Sequence, residues 1–217
     1  SYFALEGSYA KNPNDPYDRV LSFRKLVSKY HQRGIRITLD VVYNHLYSTK
    51  FNSLSILVPQ YYFRHNPDGT LSNGSGCGND IESRNFMARK LIIDSMVHLV
   101  DFYDIDGFRF DLMGILDVET INLAKEKTLR KKKDLIFYGE GWDLWTNLPF
   151  DQKASLYNSG KLEGVGFFND RYRDVAKGKS SESEVYVRGY LLGDTNYIDG
   201  FKHVMLGSAT TLAFAPM

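Results

Sequence analysis

Apolar and polar residues follow two different periods along this chain. Over residues 18–33 the apolar side chains return every three or four positions, which is the spacing of one helical face. Gly34 follows this stretch and is placed to end the helix. Residues 35–43 are then rich in β-branched side chains and predict a strand. The same pattern predicts helices over residues 84–103 and 117–132, the second capped by Asp117, and strands over 105–112, 135–138 and 165–168.

The order of these elements is strand, helix, strand, helix, which predicts a parallel β-sheet and an α/β fold. Residues 47–80 have no sustained period and predict a long loop after the first strand. Long polar loops at strand ends favour a (β/α) barrel that carries its chemistry at the carboxyl ends of the strands. A doubly wound open sheet is the alternative, but no glycine-rich phosphate loop follows any predicted strand.

Composition and charge narrow the class of partner. The formal net charge is +1 over 217 residues, and so neither nucleic acid nor a membrane is predicted as a partner. The basic run at residues 130–133 is interpreted as a solvated helix end, where cations suit the helix dipole. No stretch approaches the roughly 20 apolar residues of a membrane span. Cys77 is the only cysteine, which excludes an intrachain disulfide, and a buried thiol is the expected state.

Two carboxylates stand at the ends of short apolar runs. Asp111 ends one run, and Arg109 shares its face of the strand because strand residues two apart point the same way. A neighbouring arginine favours the ionised carboxylate that a nucleophile needs. Glu140 has Trp142 nearby, and an apolar neighbour favours the protonated form that a general acid needs. Two such carboxylates are what a retaining glycosidase requires, and Asp40 stands at a third strand end.

Each of these residues also has a plainer interpretation. Arg109 and Asp111 alone would more often be a structural ion pair, and Glu140 alone would most often be a solvated loop acid. Glycines stand on both sides of Glu140, and no structural requirement for them is expected at a strand end. The occurrence of all these features together favours the catalytic interpretation.

Six segments of the chain carry a family resemblance. Three resemble ordered sequence regions of the α-amylase superfamily: residues 40–45 (DVVYNH), 107–111 (GFRFD) and 138–142 (YGEGW). Three more narrow the resemblance to pullulanase-type debranching enzymes: residues 6–9 (EGSY), 75–79 (SGCGN) and 167–174 (FFNDRYRD). The six motifs occur in the family's order, which makes the resemblance highly specific.

The resemblance implies a fold, a reaction and a set of site residues. The fold is a (β/α)8 TIM barrel, and the reaction is retaining cleavage of α-1,6 branch linkages in α-glucans such as pullulan, starch or glycogen. The implied roles are nucleophile for Asp111, general acid/base for Glu140, orientation of the nucleophile for Arg109, binding of the glucose at the cleavage point for Asp40 and His45, and stacking on a sugar ring for Trp142. The alternatives are α-1,4 hydrolysis or glucan transfer within the superfamily, and glucan binding without catalysis.

No cofactor is predicted. Asn44 matches a position that binds calcium in many α-amylases, but pullulanases often lack that ion. His31, His65 and His98 are scattered without the spacing of metal ligands. The sequence therefore does not predict a metal site.

The chain departs from the family pattern at both ends. The family's third acidic residue belongs to a His-Asp pair that does not occur after Glu140, and the family's strands before residue 35 are not found. We therefore expect residues 1–217 to be an incomplete catalytic domain with roughly strands three to six of the barrel. The isolated chain is expected to be unstable, because a partial barrel leaves strand edges unpaired, and inactive, because the third carboxylate is missing. The compartment stays open, with the cytoplasm only slightly favoured over secretion, since the natural N-terminus is expected upstream.

Overall fold

The computed structural model describes residues 2–179 and 187–207 and divides the chain into two compact units, residues 1–167 and 168–217. Every residue predicted for the site lies in the first unit. The α-helices of that unit are α1 (Pro16–His31), α2 (Ser53–Leu57), α3 (Phe86–Tyr103) and α4 (Val118–Leu129). Its strands are β1 (Thr38–Val41), β2 (Gly107–Phe110), β3 (Ile136–Gly139) and β4 (Val165–Phe167), and short 3-10 helices cover Gly7–Tyr9, Met113–Ile115, Phe150–Gln152 and Leu156–Lys161.

The four strands of the first unit form one parallel sheet in chain order, β1-β2-β3-β4. This confirms the predicted α/β fold, although β1, β2 and β4 are shorter than the apolar runs that predicted them and β3 is shifted by one residue. Helix α3 lies in the connection from β1 to β2, and α4 in the connection from β2 to β3. Within the described residues β1 pairs only with β2 and β4 only with β3, so the sheet is open at both edges. Consecutive parallel strands joined by helices are the arrangement found in part of a (β/α)8 barrel.

The core lies where the sheet meets α3 and α4. Phe108 and Phe110 of β2 are buried in one cluster with Ile92 of α3 and Ile121 of α4. The Phe108 ring also stacks against that of Phe137 in β3, with ring centroids 6.0 Å apart. Arg109, between the two phenylalanines, is partly exposed. The predicted alternation along this strand is therefore confirmed, because aromatic side chains fill one face and leave the other for polar residues.

The helix ends follow the predicted signals. Asp117 caps α4, and its Oδ1 accepts a hydrogen bond from Thr120 N at 2.9 Å, which confirms the prediction. Helix α1 begins at Pro16 and is capped by Asp15, whose side chain accepts from the backbone. Gly34 lies just beyond α1 with a φ of 71°, a conformation that glycine adopts without strain.

The predicted loop over residues 47–80 contains more regular structure than its lack of period indicated. It holds α2 and two isolated antiparallel bridges, Phe63↔Ile81 and His65↔Leu71. These bridges fold the second half of the loop back on itself. The paired residues lie up to 18 positions apart in the sequence. The periodicity of apolar residues over a few positions cannot predict such pairing.

The expectation of a buried Cys77 is wrong, because its side chain is exposed. Cys77 stands between Gly76 and Gly78, whose φ values are 73° and 89°. The thiol of Cys77 contacts the backbone oxygen of Ser75 at 3.7 Å within this turn. A lone cysteine is usually buried, but here the flanking glycines form an exposed turn and Cys77 is exposed with it.

A buried ion-pair cluster ties the helices to the amino end of β2. Asp106 is 5% exposed, and its Oδ2 accepts from Ile37 N at 2.7 Å and contacts His31 Nε2 at 2.7 Å. Its Oδ1 pairs with Lys132 Nζ at 2.7 Å. Lys132 also binds Asp104, so the interpretation of the basic run as a solvated helix end is wrong for this lysine.

This cluster makes the stability of the fold depend on pH. Burial disfavours the charged form of Asp106, but the hydrogen bonds from Lys132, Ile37 and His31 outweigh it and hold the pKa of this carboxyl below its ordinary value. A folded-state pKa below the unfolded one gives stability that is present above about pH 4 and is lost as pH falls through the folded pKa.

We therefore expect Asp106→Asn to lower the free energy of unfolding by roughly 2 kcal/mol at neutral pH, because the buried network loses its negative charge and one of its two acceptor oxygens. The variant should also lose less stability than the wild type between about pH 4 and pH 2. Urea unfolding across this pH range measures both effects. Asp134→Asn, at an exposed carboxylate near the start of β3, is the control. An acid-side slope equal to that of the wild type in the Asp106 variant would contradict this account.

The second unit contains α5 (Asp170–Ala176) and α6 (Ile198–Met205), with 3-10 helices at Tyr190–Leu192 and Thr195–Tyr197. Asn169 caps α5 by accepting a hydrogen bond from Tyr172 N at 2.9 Å. The 3-10 helix at Tyr190–Leu192 contacts α6 through stacking of the Tyr190 and Phe201 rings, whose centroids are 4.7 Å apart. Gly178 has a φ of 111°, and a Cβ there would lie 2.1 Å from a backbone oxygen, so this position requires glycine.

Candidate active site

The predicted site residues lie together at the carboxyl end of the sheet. Asp40 and Arg109 are register partners in β1 and β2. Asp111 and Glu140 each follow the last residue of a strand, and each N–H donates to a carbonyl of the preceding strand, at 3.1 and 3.0 Å respectively. The two carboxylates therefore leave neighbouring strands side by side. This is the edge of a parallel sheet at which barrel enzymes carry their chemistry.

Arg109 is at the centre of the site. Its Nη1 donates to Asp40 Oδ1 at 2.9 Å and to Asp111 Oδ1 at 3.0 Å, and its Nη2 donates to Glu140 Oε1 at 2.5 Å. Partial burial opposes the charge of the guanidinium, but the hydrogen bonds and charges of these carboxylates outweigh it and raise the pKa of Arg109. The arginine therefore stays charged and fixes three carboxylates from three neighbouring strand ends.

Asp111 has a second donor that the sequence did not reveal. Asn44 is fully buried, and its Nδ2 donates to the backbone oxygen of Asp111 at 2.6 Å and to Asp111 Oδ2 at 3.0 Å. His45 Nδ1 in turn contacts Asn44 Oδ1. Both carboxylate oxygens of Asp111 thus accept hydrogen bonds, one from Arg109 and one from Asn44. The motif at residues 40–45 therefore has two parts in the site. It supplies the carboxylate of Asp40, and through Asn44 it orients Asp111.

Glu140 is held by an unusual turn of the backbone. Its Oε2 accepts from Leu112 N at 3.0 Å. Leu112 adopts the left-handed region, with φ 39° and ψ 50°, which a residue with a Cβ rarely adopts. Such strain concentrates at functional sites, and here it directs an N–H group towards a carboxylate. No pattern in the sequence predicts this turn.

The glycines that flank Glu140 have a structural reason, so the expectation that they have none is wrong. A Cβ at Gly139 would lie 2.7 Å from the carbonyl oxygen of Phe110. A Cβ at Gly141 would lie 2.3 Å from the ring of Phe167. The two glycines let β3 pass close to both neighbouring strands, which places the Glu140 carboxylate against Arg109.

Trp142 is partly buried, and its indole N–H is buried without a hydrogen-bond partner in the part of the chain that the structure describes. A Cβ at Gly114 would lie 1.9 Å from the backbone oxygen of Trp142. The segments that follow Asp111 and Glu140 are therefore in close contact. The polar contacts of the Glu140 carboxylate are Arg109 and a backbone N–H. The suggestion that Trp142 gives Glu140 an apolar neighbour stays a prediction.

Among residues 2–179 and 187–207, no group of three or more histidine, cysteine, aspartate or glutamate side chains could hold a metal ion. Asn44, which matches a calcium position in many α-amylases, uses its amide nitrogen on Asp111 instead. In the same described ranges, no helix has the length and apolar character needed to cross a membrane.

The motif at residues 75–79 ends in a clamp on the segment that carries Asn44 and His45. Asn79 Oδ1 accepts from Leu46 N at 3.0 Å, and Asn79 Nδ2 donates to Leu46 O at 2.7 Å. The side chain thus pairs with a backbone as a β-strand neighbour would. Ile81 N also donates to Asn44 O at 2.8 Å. These bonds fix the segment on which the orientation of Asp111 depends.

Asp80, the next residue, joins two loops of the site. Its carboxylate accepts from Ser72 Oγ at 2.6 Å, Gly74 N at 2.8 Å, Ser75 N at 2.9 Å and Thr146 Oγ1 at 2.8 Å. Burial opposes its charge, but these four donors outweigh it and lower the pKa of Asp80 below its ordinary value. The loop after β1 is thereby attached to the loop after β3, which follows Glu140.

We expect Asp80→Ala to lower the free energy of unfolding by roughly 3 kcal/mol, because several buried donors lose their acceptor at once. Substrate affinity should fall with it, since both loops lose their attachment. Urea unfolding and KM for the substrate measure the two effects. Asp68→Ala removes an exposed aspartate from the same loop and should change neither quantity by much. Equal behaviour of the two variants would show that the Asp80 network does not hold the loops.

The chain is similar to pullulanases over its whole length. It is 44% identical to the pullulanase of Bacillus subtilis strain 168 over 216 residues, which is 100% of this chain and 30% of that protein. It is 39% identical to the chloroplastic pullulanase 1 of Arabidopsis thaliana over 202 residues, which is 87% of this chain and 21% of that protein. A crystal structure of type I pullulanase from Bacillus subtilis, complexed with maltose, matches it with a TM-score of 0.93 at 43% identity, over 100% of this chain and 31% of that one.

These matches confirm the fold class, since the four-stranded sheet corresponds to part of the fold of the solved relative. The chain spans less than a third of the length of these relatives. No family model matches the chain.

Proposed function

Since this chain belongs to the pullulanase family, we propose that the protein carrying it is a retaining glycoside hydrolase. Its proposed reaction is the cleavage of α-1,6 branch linkages in α-glucans. The observation that carries the proposal is the Arg109 guanidinium, which binds Asp111 and Glu140 at the same time. A retaining glycosidase needs two carboxyl groups about 5 Å apart, one as nucleophile and one as general acid/base. Two carboxylates on one guanidinium are neighbours of the kind that this reaction requires.

Asp111 is the proposed nucleophile. Its carboxylate attacks the anomeric carbon of the glucosyl residue at the branch, the bond from that carbon to the glycosidic oxygen breaks, and a covalent glycosyl ester of Asp111 forms. The donors from Arg109 and Asn44 hold the carboxylate in one orientation before the attack. This pre-organisation lowers the entropic barrier to the reaction.

Glu140 is the proposed general acid and base. It gives a proton to the leaving glycosidic oxygen in the first step. In the second step it takes a proton from a water molecule, whose oxygen attacks the anomeric carbon and releases Asp111. The second inversion restores the original configuration, and both carboxyl groups return to their starting states.

Three further residues are proposed to hold the sugar. Asp40 has a largely exposed side chain beside Arg109, and an exposed carboxylate can accept hydrogen bonds from glucose hydroxyl groups. His45 is next to Asn44, and Trp142 follows Glu140 by two positions. The maltose complex of the Bacillus subtilis relative supports an α-glucan as the class of ligand. Residues 1–217 are proposed to form part of the catalytic (β/α)8 domain.

The test is product analysis with pullulan as substrate, in the full-length protein that carries this sequence. Cleavage of α-1,6 linkages is expected to release maltotriose. Proton NMR of the first product formed should show the α-anomer, as retention requires. Products of α-1,4 cleavage or of glucan transfer would replace the proposal by another reaction of the superfamily. Binding of maltotriose without any turnover would favour a glucan-binding protein.

A further inference from the structure

We infer that Trp145, with the cleft beside it, forms a binding subsite for a glucosyl residue of the α-glucan away from the cleavage point. The inference rests on the proposed function for the class of its ligand, and it concerns residues outside the Arg109 cluster. The cleft has a volume of about 360 Å³, within the range of small-molecule sites. Its lining consists of Asn66, Asp143, Leu144, Trp145, Thr146, Asn147 and Lys153.

The position of the indole is the first observation. Trp145 is 97% exposed, although a tryptophan side chain commonly buries roughly 150–250 Å² in a folded protein. It lies on the loop after β3, five positions beyond Glu140, at the edge of the sheet where the candidate active site lies. At this exposure the indole contributes almost nothing to the core. An aromatic ring kept in solvent beside a site is therefore available to a ligand.

The backbone under Trp145 is fixed, which is the second observation. Trp145 is the central residue of a three-residue turn, closed by a hydrogen bond from Thr146 N to Leu144 O at 2.8 Å. On one side, the nearly buried Lys153 donates to Leu144 O at 2.7 Å. On the other side, Thr146 Oγ1 binds Asp80, and Asn147 N donates to a serine hydroxyl at 2.9 Å. The indole thus projects from a turn anchored before and after it.

Free acceptors around the indole are the third observation. Asn66 and Asn147 use their amide nitrogens on Leu71 O and His65 O, and neither amide oxygen accepts a hydrogen bond from the described residues. Asp143 pairs with Lys153 through Oδ1 only, which leaves Oδ2 without a donor among those residues. The cleft therefore presents three acceptors beside an aromatic face.

A glucosyl residue has the complementary chemistry. The C–H groups on one face of the ring pack on an aromatic surface, and the hydroxyl groups at its edge donate hydrogen bonds to carboxylate and amide oxygens. Nothing in the cleft calls for an anion, since its one lysine is already paired with Asp143. Because the turn is fixed in advance, the binding of sugar would order few side chains, which favours affinity.

The experiment compares Trp145→Ala, Trp145→Phe and the wild type in the full-length protein. We expect Trp145→Ala to raise KM for pullulan about tenfold and to weaken maltotriose binding by a similar factor, with kcat nearly unchanged. Trp145→Phe should recover most of both losses, since it keeps an aromatic face. Tyr30→Ala, in the last turn of α1 near the opposite edge of the sheet, removes a half-exposed aromatic ring and should change neither quantity. Trp145→Gln takes the place of the alanine variant if that variant does not fold.

Calorimetric titration with maltotriose is measured separately from turnover, so the two proposals fail in different ways. A wild-type protein that binds maltotriose through Trp145 but does not cleave pullulan would overturn the proposed function and keep the subsite. A wild-type protein that cleaves pullulan, with KM and maltotriose affinity unchanged in Trp145→Ala, would overturn the subsite and keep the function. Equal losses in the Ala and Phe variants would also overturn it, because a stacking surface survives the second substitution.

Discussion

Asp111→Asn is expected to lower kcat for pullulan by at least about 10⁴-fold, the scale of loss seen when a covalent nucleophile is removed. An amide cannot form the glycosyl ester, and residues 107–116 contain no other aspartate or glutamate that could replace Asp111 from the same strand end. The substitution also has a local cost. Both Asp111 oxygens accept hydrogen bonds, one from Arg109 and one from Asn44, so the new amide nitrogen must face a donor.

The measurement is the rate of maltotriose release, together with the binding of maltotriose and the thermal midpoint. The maltotriose affinity shows whether the rearranged hydrogen bonds have disturbed the sugar-binding residues, since sugar binding does not need the nucleophile. Asp134→Asn is the matched control, because it is an exposed aspartate near the amino end of β3. An Asp111→Asn protein that keeps more than a tenth of wild-type kcat would assign the nucleophile to another group.

The sequence predicted the sheet, and the charged residues that meet at its edge, for a physical reason. Strand and helix periods are local properties, and so are the caps, which is why Asp117 and Gly34 were identified correctly. The pairing of Arg109 with Asp111 was also predictable, because two positions along a strand always share a face. These features required no knowledge of how distant segments meet.

The contacts that complete the site are all between distant segments. Asn44 and Asp111 are 67 positions apart, and Thr146 and Asp80 are 66 apart. Nothing in the local pattern around Asn44 indicated that its amide would bind the carboxylate of another strand. The motif at residues 75–79 was noted only for its resemblance, whereas its geometry shows a clamp on the segment 44–46. The motifs therefore identified which segments matter, but their structural role is seen only in the tertiary contacts.

The same distinction explains the errors at glycine positions. The glycines around Glu140 were interpreted through the chemistry of the carboxylate, yet they are required by the close approach of neighbouring strands. In a similar way, Cys77 follows the path of the turn that its flanking glycines allow. Glycine was in both cases a signal of backbone geometry, which constrains a position before any side-chain chemistry does.

Glu140→Gln is expected to lower the rate on pullulan by about 10²–10⁴-fold, the usual contribution of general acid–base catalysis. The loss should depend on the leaving group, unlike the loss in Asp111→Asn. A substrate such as α-maltosyl fluoride releases fluoride, which needs little help from a proton. With this substrate the first step should proceed in the Glu140 variant, while hydrolysis of the ester stays slow because water lacks its general base.

The covalent ester should therefore accumulate in Glu140→Gln, and mass spectrometry of the intact protein would detect the added maltosyl group on Asp111. Azide needs no general base, and its addition should restore turnover by forming a maltosyl azide of retained configuration. Neither fluoride nor azide should help Asp111→Asn, because that variant forms no ester. If the two variants responded alike to both reagents, the division of roles between the two carboxylates would be wrong. The shared contact with Arg109 would then be a structural ion-pair network and not the arrangement that separates nucleophile from acid.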